Sequence, residues 1–124
     1  MLAVELLRAL QRREWVAIQA DRTLPGLTPL ELNDCVRLWR LPKGPFVLAA
    51  AAGALLLPSF VRRRGHRRYR VTFFPPLLPD RAKDGRDTAA LALAQEWTRL
   101  LTGVLRESPD HWLVFEPAFT AAAS

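Results

Sequence analysis

Thirteen consecutive residues, Phe46 to Pro58 (FVLAAAAGALLLP), carry neither a charge nor a hydrogen-bonding side chain. A Pro-Lys-Gly-Pro turn (residues 42–45) opens this run and Pro58 closes it. Such a run must be covered, so it is expected to be the buried centre of the chain, with the flanking segments built around it. It falls short of the roughly 20 apolar residues that a membrane-spanning helix needs, and Gly53 and Pro58 interrupt it. The spacing predicts a helix from Pro45, whose missing N–H costs nothing in a first turn. Gly53 is the expected C-cap, and a strand over Ala54–Val61, apolar on both faces and hence central, follows.

Around this centre, Leu2, Leu6, Leu7 and Leu10 recur at helical spacing and predict an amphipathic helix over Leu2–Arg12. No N-cap residue precedes it, and no basic segment leading into an apolar one marks a signal peptide. Trp15–Ala20 reads as a short buried strand ending at Asp21-Arg22, with a Pro/Gly loop over Leu24–Pro29. Charged residues just beyond a strand's C-terminal end are a usual place for a ligand in an open α/β sheet, although they also mark an ordinary strand end in water. Cys35–Trp39 alternates as a strand. Tyr69, Val71 and Phe73 alternate with Arg68, Arg70 and Thr72, so Leu55–Pro75 is expected to form a β-hairpin turning at Gly65. Leu77–Arg86 reads as a loop. Asp87 or Thr88 caps a long helix whose stripe is Ala90, Leu93, Ala94, Trp97, Leu100, Leu101, Val104 and Leu105, and Ser108-Pro109 ends it. Trp112–Phe115 is a last apolar strip, and Ala118–Ser124 is expected to fray.

At 124 residues the chain is one domain with room for a real core. A single cysteine, Cys35, excludes an internal disulfide and a multi-cysteine zinc site. The formal charge is +6, from 18 basic and 12 acidic residues, and it is local. Six arginines (Arg62, Arg63, Arg64, Arg67, Arg68 and Arg70) fall within nine residues, and without them the charges balance. Arginine forks suit phosphate, on anionic lipid heads or on nucleic acid. Tyr69 alone is interleaved among them, which argues against base stacking and nucleic acid; a solvated hairpin that resists edge pairing is the plain alternative. His66 sits at the hairpin tip as an exposed turn residue. His111 and Glu116 match a His-x-x-x-x-Glu spacing, which can pair an imidazole base with an orienting carboxylate. They lie in a segment that looks extended, where Trp112 and Phe115 read as core. No phosphate-binding glycine loop, metal-ligand cluster or nucleophile elbow is present.

Taken in order, the pieces WVAIQADR (15–22), RLPKGPFVLAAAAGALLLPSFVRR (40–63), YRVTFFPPL (69–77) and RESPDHWLVFEPAF (106–119) resemble the C-terminal half of the bacterial lipid A biosynthesis acyltransferases. These form the lauroyl/myristoyl branch of the lysophospholipid acyltransferase superfamily. The resemblance covers nearly the whole chain. It implies transfer of a fatty acyl group from an acyl thioester, on acyl-carrier protein or coenzyme A, to a hydroxyl of a membrane lipid, with no cofactor. It also implies a peripheral place on the cytoplasmic face of the inner membrane. By the same resemblance Asp21 and Arg22 contact the acceptor's phosphate or sugar, Lys43, Gly44 and Pro45 shape the site, and Pro58 belongs to the last motif. The bottom-up reading agrees on place, since a helix N-terminus at Gly44-Pro45 favours an anion. The family's catalytic pair, a histidine and an acid five residues on, precedes the Asp-Arg strand. The fourteen residues before Trp15 contain no histidine. His111 and Glu116 sit in the family's terminal block, so the catalytic role is not carried to them.

The expectation is therefore an α/β domain over residues 1–124, a partial mixed sheet with covering helices, forming an incomplete acyltransferase fold that is inactive alone. The alternative is a catalytically dead module that binds anionic lipid or a partner protein through Arg62–Arg70. An open apolar sheet edge predicts association with an N-terminal half or with itself.

Overall fold

The structure is a computed structural model and describes residues 2–20, 28–33, 37–80, 85–107 and 119–121. It belongs to the mixed α/β class. In chain order the elements are α1 (Leu2–Gln11), β1 (Leu30–Asn33), β2 (Arg37–Leu41), α2 (Gly44–Ala52), β3 (Ser59–Arg63), β4 (Tyr69–Phe73), α3 (Arg86–Glu107) and β5 (Phe119–Ala121).

Two small sheets form. One has the order β1-β2-β5 and the other is the β3-β4 pair. Every strand pairing among the described residues is antiparallel, so the expected mixed sheet is replaced by two antiparallel ones. In the first, Leu30 lies opposite Leu41 and Leu32 opposite Trp39. Period-two alternation puts these four on one face, which turns inward. Trp39 and Leu41, with Phe46 of α2, are the most deeply buried large side chains.

The core joins Leu32, Trp39 and Leu41 to Phe46 and Ala49 of α2 and to Ala90, Leu93, Ala94, Trp97 and Leu101 of α3. Small alanines on both helices let α2 lie close against α3. The predicted stripe of α3 holds, and the helix starts slightly earlier than expected, at Arg86, leaving Asp87 in the first turn where its charge meets the positive helix end. Thr98 is buried on this face and is satisfied within the helix, its Oγ1 donating to the Ala94 carbonyl at 2.8 Å.

The apolar run meets expectation in its first half. Pro45 sits in the first turn of α2, and Gly53 ends the helix at φ 64°, a left-handed conformation that costs an L side chain about 1 kcal/mol or more. The Ala54 N–H then closes back on the Ala49 carbonyl at 3.0 Å. The second half departs from expectation. Ala54–Val61 is not one central strand: Leu56 makes a single bridge to Leu77, β3 starts only at Ser59, and Leu55 and Leu57 are exposed. Pro58 has no N–H to donate, which separates the bridge from the strand.

Three further expectations are corrected. Trp15–Ala20 is not a strand, and the Trp15 side chain is 89% exposed. No strand pairs with this segment among the described residues; it is tied down at its end, where the Trp97 indole N–H donates to the Ala20 carbonyl at 3.1 Å. Residues 30–33, not foreseen as a strand, form β1, and the strand expected from Cys35 begins at Arg37 in the described chain. The tail expected to fray supplies β5, where Phe119 pairs with Trp39 and Ala121 with Arg37. The amphipathic α1 forms as expected and packs on α2, though none of its residues is fully buried. No helix among the described residues is long and apolar enough to cross a membrane.

Candidate functional site

The β3-β4 hairpin is where charge and exposed apolar surface meet. Its register sets Ser59 opposite Phe73, Phe60 opposite Thr72, Val61 opposite Val71, Arg62 opposite Arg70 and Arg63 opposite Tyr69. The turn closes with the Arg64 N–H on the Arg68 carbonyl at 2.8 Å. Gly65 takes φ 131° there and Arg67 takes φ 56°. The first of these conformations is open essentially to glycine alone, which fixes where the tip falls.

One face of the hairpin is anchored. The Phe60 ring stacks on Trp97 of α3 with centroids 5.0 Å apart and 8° between planes, and meets Phe74 edge-on at 5.5 Å. On the same face Arg62 is buried, and its Nη1 donates to a Glu107 carboxylate oxygen at 2.7 Å. Its Nε is buried without a partner. Arg62 therefore fastens the hairpin to the end of α3 and is set apart from the remaining arginines. Those five, Arg63, Arg64, Arg67, Arg68 and Arg70, are exposed. The Arg63 Nε–H folds back on the Gly65 carbonyl at 3.2 Å.

The other face points to solvent. Val61 is 62% exposed, Tyr69 67%, Val71 51% and Phe73 63%. Cross-strand neighbours share a face, so these four side chains form one strip. Leu55, Leu57 and Leu78 are exposed around the bridge at its base. Sequence reasoning found the hairpin, its arginines and the alternation that puts Tyr69, Val71 and Phe73 on one side of β4, but not that this apolar side faces solvent. The missing signal lay in β3, where Phe60 and Val61 are both apolar and either could have faced the core.

Electrostatically the region is one-sided. From Cys35 to Pro79 the sequence holds nine arginine and lysine residues and no Asp or Glu. Glu107, which reaches the hairpin from α3, is engaged by Arg62. Exposed cations clustered in this way raise a positive potential that adds up over the patch.

Of the residues singled out by resemblance, Lys43 and Gly44 are exposed at the start of α2, while Pro45 and Pro58 are buried. The buried face of α2 packs on α3, so that helix offers its apolar side chains to the core and not to a slot beside Lys43. Asp21, Arg22, Cys35, His111 and Glu116 lie outside the described residues. A cleft of about 460 Å³ between β1 and α3 is bordered by Leu32, Thr98, Thr102, Arg99 and Arg106, and more of its wall is apolar than polar. Arg99 is ion-paired with Glu96 on the same helix. Among the described residues no three His, Cys, Asp or Glu side chains gather as a metal site.

Comparisons with family models, with curated proteins and with solved structures find no match to this chain.

Proposed function

We propose that this chain works on the surface of an anionic lipid membrane, held there by its basic hairpin, as part of an acyltransferase that moves a fatty acyl chain from a thioester to a hydroxyl of a membrane lipid. The observation that carries the membrane part is the hairpin's end: five exposed arginines, three on its turn and two on the strands beside it, in a stretch of sequence without a carboxylate. Guanidinium forks bind phosphate oxygens two at a time. Each cation near an anionic leaflet contributes about 1 kcal/mol, so five supply roughly 5 kcal/mol at physiological ionic strength. The acyl-transfer part rests on the ordered resemblance of residues 15–22, 40–63, 69–77 and 106–119. In that reading Asp21, Arg22, Lys43, Gly44, Pro45 and Pro58 are the acceptor side of the site, and acyl-carrier protein or acyl-CoA is the donor.

Sedimentation with lipid vesicles tests the first part. The chain is expected to bind phosphatidylglycerol-containing vesicles and not pure phosphatidylcholine. Replacing Arg63, Arg64, Arg67, Arg68 and Arg70 by glutamine should weaken binding at low salt by well over tenfold. Equal binding to both vesicle types, or binding at low salt that neutralisation leaves unchanged, refutes the role of the hairpin arginines. For the second part, the chain alone is incubated with acyl-carrier-protein and acyl-CoA thioesters and a lipid acceptor. It is expected to transfer nothing above background, because residues 1–14 hold no histidine to serve as the family's base. Turnover abolished by His111→Ala would overturn that reading. Vesicle binding with no acyl transfer, even when a complete N-terminal half of such an enzyme is supplied, would favour the dead-module alternative.

A further inference from the structure

Charge alone does not account for the outer face of the hairpin. A solvated basic hairpin gains nothing from presenting Val61, Tyr69, Val71 and Phe73 to water, each more than half exposed. The same strands had polar residues to place there: Arg62, Arg70 and Thr72 share the inner face with Phe60. The stack of Phe60 on Trp97 and the pairing of Arg62 with Glu107 settle which face turns in, and leave the apolar strip outward.

We infer that this strip is a bilayer-insertion surface: the hairpin lies with its outer face against the lipid interface, with its valines and aromatic rings among the upper acyl chains and its arginines at the phosphates. The inference rests on the membrane reading above and deepens it, turning a purely electrostatic contact into a partly inserted one. Geometry supports it on two counts. Arg63 lies on the outer face itself, directly opposite Tyr69, and the turn that follows carries Arg64, Arg67 and Arg68, so cations border the apolar strip at its tip. Tyr69 stands at that boundary, where an amphipathic ring is stable at headgroup level. Charge complementarity selects a lipid occupant over a second copy of this chain. A copy would bring another set of the same arginines, and this part of the sequence has no carboxylates to meet them. An anionic leaflet offers both what the strip needs and what the arginines need.

The test separates insertion from attraction. In a Cys35→Ser background, an environment-sensitive fluorophore is placed at Val71→Cys, and separately at Gln95→Cys, an exposed position on α3. On phosphatidylglycerol-containing vesicles the Val71 label is expected to shift to the blue and to be quenched by lipids carrying a shallow spin label. The Gln95 label should do neither. A second variant, Val61→Thr/Val71→Thr/Phe73→Thr, keeps strand-favouring residues and all the arginines. Losing three side chains of this size is expected to weaken binding on the order of a hundredfold. The loss should be clearest near 1 M salt, where the screening length is about 3 Å and charge attraction is largely gone. A Val71 label that stays in water while the protein is bound overturns insertion and leaves the electrostatic reading standing. Failure to bind anionic vesicles at all overturns both. A stable dimer in ultracentrifugation that the threonine variant converts to monomer identifies a second copy as the occupant and overturns the inference.

Discussion

Trp97 holds three parts of the chain together, and its removal should be felt in all of them. Its ring packs flat on Phe60 of the hairpin, its indole N–H holds the Ala20 carbonyl at 3.1 Å, and it lies within the core on α3. Truncating a buried tryptophan to alanine costs about 3–5 kcal/mol. A chain of this length has a total stability of about 6–19 kcal/mol, so Trp97→Ala removes a large share of it. Trp97→Phe separates the contributions. It keeps a ring against Phe60 and deletes the N–H, so it should cost about 1 kcal/mol for the lost hydrogen bond, plus a small packing loss. Combined with Phe60→Leu, the tryptophan variant gives a double-mutant cycle whose coupling energy should be about 0.5–1.5 kcal/mol for the aromatic pair. Urea unfolding followed by far-UV circular dichroism is the suitable assay, because the fluorescence signal itself changes when a tryptophan is removed. A Trp97→Ala midpoint that corresponds to less than about 1 kcal/mol would refute the argument, since no buried, stacked and hydrogen-bonded indole is that cheap to lose.

Three further outcomes are expected. Arg62→Met should be neutral or stabilising, because the guanidinium is buried with an unpartnered Nε, whereas Glu107→Ala should destabilise by about 1–2 kcal/mol, discounted because Glu107 is largely exposed and water can replace it; urea midpoints distinguish the two. Gly53→Ala should cost about 1 kcal/mol because its φ of 64° is left-handed, with Gly53→Asn milder, as read by thermal unfolding. The Glu14 carboxyl is held below its usual range by a hydrogen bond from Arg12, and Arg12 is raised in turn. A lowered carboxyl stabilises above the unfolded range and loses that effect as pH falls through the lowered value. Both groups are exposed and water screens the pair, so the effect is small: as pH falls from 7 to 3 the protein should lose slightly more stability than Glu14→Gln does, and a Glu14→Gln curve that falls more steeply would contradict the sign.

Much of the fold was legible because it is local. The leucine spacing of α1, the stripe from Ala90 to Leu105, the Pro45 start and Gly53 stop of α2 and the turn at Gly65 each depend on residues close in sequence. Periodicity and backbone sterics act at that range. The strand expected at Trp15–Ala20 failed because an apolar run specifies burial and not a partner, and the partner it found was a single indole N–H from a residue 77 positions away. The β5 strand was missed for the converse reason, since residues 119–121 show no strand pattern of their own and are defined by the open edge of β2.

The basic patch and its place on a hairpin follow from the sequence alone, as does the lack of any acid between Cys35 and Pro79. Which side of that hairpin faces the core does not. β4 alternates with Tyr69, Val71 and Phe73 on one side, but β3 puts Phe60 and Val61 on opposite faces, and a strand has the same period whichever face is buried. Only the tertiary structure breaks that symmetry: Phe60 finds the flat face of Trp97 and Arg62 reaches Glu107, contacts that join residues 37 and 45 positions apart, and the remaining apolar face is left to solvent.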